Sequence, residues 1–250
     1  MYELCRAGEN TYFVDCPAKI GVYVRPGGRA CLIDSGGDRS AGKRALRTLQ
    51  EQGWELEAVI NTHSHADHTG GNRYLQAQTG CRVFADGLEA AVIGQPVLEP
   101  ACLYGGCPPG ALRHKFLMAE ASVVTPSGDP AFPKELELIP LPGHSFGMVG
   151  VRTPDDVVFL ADCLTSQRTL EKYRIPYLYD VAAHLETLDR VAGMRARLFV
   201  PSHAEAGEDM SGLVRLNREN TLETAELPER CLLLFGQEGP GVTEAARSGA

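Results

Sequence analysis

The chain has 250 residues, of which 44% are hydrophobic and 22% charged, the balance of an ordinary globular protein long enough to bury one substantial core. A formal net charge of −8, with no run of Lys or Arg to offset it, disfavours a nucleic-acid backbone as partner and with it a nuclease. No apolar stretch reaches bilayer length, and "MYELCRAGENTYF" lacks a basic segment followed by an apolar one, so we expect a cytoplasmic protein without a membrane partner.

The elements follow in chain order. β-branched and aromatic residues predict strands over 11–16, 20–26 and 30–36, with Gly27-Gly28 as a hairpin turn. An amphipathic pattern predicts a helix over 39–52, and the apolar run 56–62 reads as a buried strand. Residues 69–80 look helical, closed by Gly80. Residues 86–120 mix Pro-Gly punctuation with apolar side chains and show no clean period; the expectation is a loop-and-helix insertion serving as a lid. Strands are predicted again over 121–125, 136–141, 147–153, 156–162 and 197–203, with helices over 181–193 and 210–227. No linker divides the chain, so one domain is expected over 1–236, followed by a flexible tail over 237–250. The eight cysteines form no C-x-x-C pair and are expected to be reduced and mostly buried. Trp54 and His184 read as structural.

The chemistry concentrates in "NTHSHADHTGG", residues 61–71, which holds three of only seven histidines and an aspartate. Imidazole and carboxylate are the ligands that hold a divalent first-row metal. His63 and His65, two apart on an extended segment leaving a strand, can reach one ion together. Asp67 and His68 follow at a turn that can aim them at a second. His144 stands on the Pro-Gly turn of "LPGHSFG", Asp162 ends the apolar run "VVFLAD", and His203 ends "LFVPSH". All are positioned to converge on one rim of a sheet-based core.

In order and spacing, T-H-S-H-A-D-H, then P-G-H, then a strand ending in Asp and another ending in S-H, the pattern over residues 11–205 resembles the metallo-β-lactamase superfamily. By motif it is most similar to the hydroxyacylglutathione hydrolase (glyoxalase II) branch. The resemblance implies an α+β fold, a four-layer αββα sandwich, with a binuclear centre at the sheet edges. It implies that His63, His65 and His144 hold one ion, that Asp67, His68 and His203 hold the other, and that Asp162 bridges them. The cofactor expected is two divalent ions, zinc first, with iron or manganese as alternatives. Two such ions about 3.5–4 Å apart lower the pKa of a water between them and polarise a carbonyl oxygen, which suits hydrolysis of a small thioester or ester. Asp67 has a second, catalytic role in orienting that water or passing a proton to the leaving group.

Several departures and alternatives accompany the resemblance. Ala161 stands where many relatives carry glycine, a small change in size. Cys163, next to Asp162, reads as buried and inert. The 47 residues after His203 are fewer than in the glutathione-recognising extension of the branch, and its basic residues find no match. Substrate contacts are expected instead from Tyr104 and Arg113, alongside His114 and Lys115, and from Arg168, Tyr173, Arg174 and Tyr177. The alternative from another class is a persulfide dioxygenase holding one iron through His63, His144 and Asp162. A lactonase or β-lactamase-like hydrolase is a further alternative, the latter disfavoured by the missing export signal.

Overall fold

The structure, a computed structural model, describes residues 2–225. The expected end of the last helix at 226–227, the domain limit at 236, the tail over 237–250 and Cys231 lie outside the described residues.

Four antiparallel strands open the chain: β1 (Glu3–Arg6), β2 (Thr11–Asp15), β3 (Ile20–Arg25) and β4 (Arg29–Ile33). Gly27 and Gly28, at φ +85° and +78°, make the tight β3–β4 turn, a conformation that costs glycine nothing. Helix α1 (Arg39–Glu51) begins where the Asp38 side chain accepts from the Ala41 N–H. It buries Ala41, Ala45, Leu46 and Leu49 at helical spacing. The chain then enters β5 (Glu55–Ile60), parallel to β4. Helices α2 (Ala66–Thr69) and α3 (Asn72–Thr79), the latter ended by a left-handed Gly80, lead to β6 (Arg82–Phe84). Helices α4 (Gly87–Gly94) and α5 (Leu98–Tyr104) and a 3-10 turn, Gly110–Leu112, precede β7 (Val124–Thr125).

The second sheet comprises β8 (Glu137–Pro140), β9 (Val149–Arg152), β10 (Val157–Thr165) and β11 (Leu198–His203). Between β10 and β11 lie α6 (Gln167–Tyr173) and α7 (Val181–Gly193), and α8 (Ser211–Ala225) follows. The sheet orders are β1-β2-β3-β4-β5-β6-β7 and β11-β10-β9-β8.

Period-two alternation sends the two faces of β4 to different layers. Cys31 and Ile33 join Phe13, Ile60 and Phe84 against Val151, Phe159 and Val200 of the other sheet. Ala30 and Leu32 face outward and pack with Leu46 and Leu49 of α1 and Leu75 of α3. On the far side, Leu188 and Val191 of α7 and Val214 of α8 cover Val158, Leu160 and Phe199. The result is the expected αββα sandwich. Truncating a fully buried leucine such as Leu49 or Leu75 to alanine would cost about 2–5 kcal/mol.

Some elements differ from the sequence reading. β1 and β6 were not expected, because neither carries a period long enough to register; α6 was not expected either. The strand expected over 121–125 shrinks to Val124–Thr125. Two helices form inside 86–120 despite its irregular pattern. The cysteines divide: Cys31, Cys81 and Cys163 are buried, Cys5 and Cys16 are partly buried, and Cys102 and Cys107 are exposed; no disulfide forms among the described residues. Among those residues, no helix is long and apolar enough to cross a membrane.

Candidate metal centre

The site forms where both sheets end on the same rim. After β5 the chain turns sharply, held by the Thr62 N–H and hydroxyl, each 2.8 Å from the Asp34 carboxylate. His63 follows, wholly buried. His65 caps α2, so the turn that carries Asp67 and His68 is a single helical one. That turn lies against the backbone after β4; a Cβ on Gly70 would come within 2.3 Å of the Gly37 carbonyl carbon. His144 sits on the β8–β9 turn after Gly143, whose φ of +122° and close approach to the His184 backbone leave no room for a side chain.

Asp162 does not end its strand as expected. β10 runs on to Thr165, and its pairing with β11 slips on either side of Ala161, which has φ +50°. That kink turns the ladder where Asp162 must face the rim. Neighbouring β11 delivers His203 at its end.

All seven predicted side chains come together. His63, His65 and His144 form one group, and Asp67, His68, Asp162 and His203 a second, each with ligand atoms within 4.8 Å of one another. Asp162 lies between the groups. Its Oδ1 is 3.1 Å from His68 Nε2, and its Oδ2 is 3.1, 3.5 and 4.0 Å from Nε2 of His203, His144 and His63. His203 Nε2 is also 3.1 Å from Asp67.

The outer nitrogens of the rings decide what the inner ones present. Nδ1 of His144 faces the Tyr177 carbonyl at 3.1 Å, and Nδ1 of His203 faces the Pro17 carbonyl at 2.8 Å. A carbonyl only accepts, so both Nδ1 atoms donate. His68 Nδ1 meets the Asp34 carboxylate at 2.8 Å and donates likewise. The Thr62 hydroxyl donates to Asp34 and therefore accepts from His63 Nδ1 at 3.0 Å. Each of these four rings, when neutral, thus turns an Nε2 lone pair inward. There the buried Nε2 atoms of His63, His68 and His203 and both Asp162 oxygens have no hydrogen-bond partner. Lone pairs facing lone pairs in a buried space call for cations.

The electrostatics agree. Burial holds His65 and His144 down to about 4, and His63 well below the ordinary value. For His68 and His203 burial acts the same way but is overridden, chiefly by Asp162, so both rise well above it. Asp162 and Asp67 remain well below the usual carboxylate range: burial pushes both up, but the cationic His203 and His68, respectively, more than offset it. The same carboxylates that raise His68 and His203 would favour a bound cation beside them. Cys163 is fully buried and its thiol is pushed far up by that burial, consistent with an inert side chain. His184 is buried and held near 4 by desolvation, as a structural histidine would be.

The expected substrate contacts separate. Tyr177 stacks edge-on against His65 and His144, at 5.4 and 5.8 Å between centroids. Arg168 lines a cleft of about 370 Å3 with Lys19, Ser166 and His203. Tyr173 accepts from Lys172 Nζ at 2.6 Å, and Arg174 caps α6 at φ +62°. Arg113 donates to the Pro108 carbonyl and Cys107 Sγ, within its own loop, and Lys115 pairs with Asp38 at 2.9 Å. Tyr104 is exposed at the end of α5. Of this set, Tyr177 and Arg168 border the seven-residue cluster.

Two buried residues at the site escaped the sequence reading. Asp34 ends the apolar run "ACLID" as Asp162 ends "VVFLAD", a signal that was available. Glu89 stands in the aperiodic stretch and gave none.

Comparison with known proteins bears on this geometry. The sequence profile described as the metallo-beta-lactamase superfamily matches residues 20–203. A hydroxyacylglutathione hydrolase of Methylococcus capsulatus is 32% identical over 120 residues, covering 48% of this chain and 38% of that protein. One of Nitrosococcus oceani is 27% identical over 188 residues, covering 58% of this chain and 67% of that protein. The first of these matches therefore spans well under half of the relative's length. Among solved structures, a metallo-beta-lactamase from Pontibacter korlensis superposes with a TM-score of 0.64 at 18% identity, covering 89% of this chain and 99% of that one. The DIM-1 metallo-beta-lactamase gives 0.64 at 16%, covering 90% and 98%; likeness at this identity speaks for the fold alone.

Proposed function

The chain belongs to the metallo-beta-lactamase superfamily, and we propose that within it this protein is a metal-dependent hydrolase of small thioesters or esters. The observation that carries the reading is the convergence of seven ligand side chains, with the rings of His68, His144 and His203 anchored from outside through Nδ1 so that their Nε2 atoms face the buried Asp162 carboxylate. That donor set fits two divalent cations of the first row, zinc foremost, with iron or manganese compatible. His63, His65 and His144 would hold one, Asp67, His68 and His203 the other, with Asp162 between them. Bound there, the pair would supply a water acidic enough to ionise near neutral pH and polarisation of the carbonyl under attack.

The chain's own groups do the rest. Asp162, 2% exposed at its side chain, keeps its carboxylate out of solvent and fixed between the two groups. Asp67 and His203, 33% and 26% exposed, form the open side, where the cleft bearing Arg168 adjoins His203. A substrate carbonyl entering there meets Asp67, which is placed to orient a water or return a proton to a leaving alkoxide. A thiolate would leave without that help. The Tyr177 ring packs edge-on against His65 and His144.

The name shared by the curated relatives, hydroxyacylglutathione hydrolase, supports a thioester as the first substrate to try. Beside the residues that a mononuclear iron site would use, Asp67, His68 and His203 offer ligands for a further ion, which supports two. The test is turnover by zinc-loaded protein of hydroxyacylglutathione thioesters, simple aryl esters and lactones. Hydrolysis that chelation abolishes and zinc restores supports the reading. Oxygen uptake with an iron-loaded protein and no hydrolysis would replace it.

A further inference from the structure

Glu89 is 2% exposed on the first turn of α4, within the stretch that carries no periodic signal. Its Oε2 accepts from the Ser64 N–H at 2.8 Å; its Oε1 accepts from the Ser145 hydroxyl at 2.7 Å and the Gly147 N–H at 2.8 Å. Ser64 stands between His63 and His65, and Ser145 follows His144. One carboxylate therefore ties together the two loops that carry the three-histidine group, loops 79 residues apart between His65 and His144. Ionised carboxylate is an acceptor only, so all three donors can point at it without conflict. Desolvating such a group among neutral dipoles is costly, and an apolar side chain would join α4 to the body more cheaply.

We propose that Glu89 is a positioning residue for the three-histidine metal site, setting the separation of the His63–His65 loop from the His144 turn. The proposal rests on the reading of that group as a metal site. Asp34 serves the other group: it receives His68 Nδ1, as Glu89 receives the loops of the first. Asp34 also receives Thr62, whose hydroxyl faces His63 Nδ1, so it touches both groups. The Glu89 contacts fall on the loops of the three-histidine group, which makes Glu89 the carboxylate through which that group can be disturbed by itself.

The test uses Glu89→Gln, which keeps size and shape but turns a donor toward either the Ser64 N–H or the Ser145 and Gly147 pair. Metal-free wild type and variant are titrated with cobalt(II) against a chromophoric chelator, and the visible ligand-field spectrum is recorded at each equivalent. In the variant one equivalent should bind about 10–100-fold more weakly with an altered spectrum, while the other binds as in wild type. Ser145→Ala, which removes one donor of three, should weaken the same equivalent by about two- to tenfold and covers the case in which Glu89→Gln fails to fold. Unchanged affinity and spectrum in a folded variant would overturn the proposal, as would equal weakening of both equivalents, the mark of general loosening. Wild type that takes up no cobalt would instead overturn the reading of the site as a metal centre.

Discussion

Asp34 Oδ2 lies 2.8 Å from Nδ1 of His68, and the same carboxylate takes the N–H and hydroxyl of Thr62. Asp34 is buried at φ +64°, outside the strand it terminates, so backbone strain is spent on aiming one carboxylate. Asp34→Asn should lower metal affinity by about 10–100-fold, because an amide cannot accept from His68 Nδ1 together with the Thr62 and Asn61 donors. Asp34→Ala should in addition cost about 1–3 kcal/mol of stability through unpaired buried donors. Metal titration and thermal melting of the two variants check both statements.

Ala161 is the second strained position. A left-handed alanine costs about 1–2 kcal/mol, while its buried methyl returns about 0.8 kcal/mol that glycine would forgo. Size alone made the departure from glycine look small; the backbone makes it a strained one. Ala161→Gly should therefore be close to neutral or slightly stabilising. Ala30→Gly, at an equally buried alanine in β4 with no positive φ, should lose about 1.5 kcal/mol. Chemical denaturation of the pair checks the difference; equal losses would remove the strain from the account.

Metal uptake should release protons. Asp162 raises His68 and His203 well above the ordinary histidine value, which favours the protonated rings in metal-free protein, and each must lose that proton to ligate. Calorimetric titration at pH 7 in buffers of different ionisation enthalpy should give about two protons released, and affinity should fall as pH falls. For metal-free protein the sign is different. The stability these two cations confer is complete below about pH 6.5 and is lost as pH rises through their raised folded values.

Removing ligands should separate site from surroundings. His144→Ala and Asp162→Ala should each reduce turnover to background and lower bound metal. His114→Ala should leave metal content unchanged, since the His114 ring stacks on Phe116 in its own segment. Full activity in Asp162→Ala would contradict its position between the two groups.

The seven converging side chains were legible because metal chemistry restricts both residue type and position. Few other demands place three histidines within six residues or set an aspartate in a buried apolar strand, although Asp162 lies inside its strand and not at the end where it was expected. The layers followed from period-two and helical patterns in β4, α1 and α7, which are long enough to repeat. β1 and β6 are too short for a period to register, and they exist because neighbouring strands offer them a ladder. Asp34 follows the apolar strand β4 directly, but no histidine stands beside it in sequence to mark it as part of a metal site. Glu89 could not be read at all. A single glutamate in an aperiodic stretch looks like any solvated side chain until the fold brings Ser64 and Ser145 to it.

The most direct test is the number of metal ions per folded chain, measured by elemental analysis after purification and again after loading with zinc. Two per chain, falling on substitution of His144 or Asp162, is the predicted result. A single ion at saturation, or none after zinc, manganese and iron have each been offered, would contradict the account.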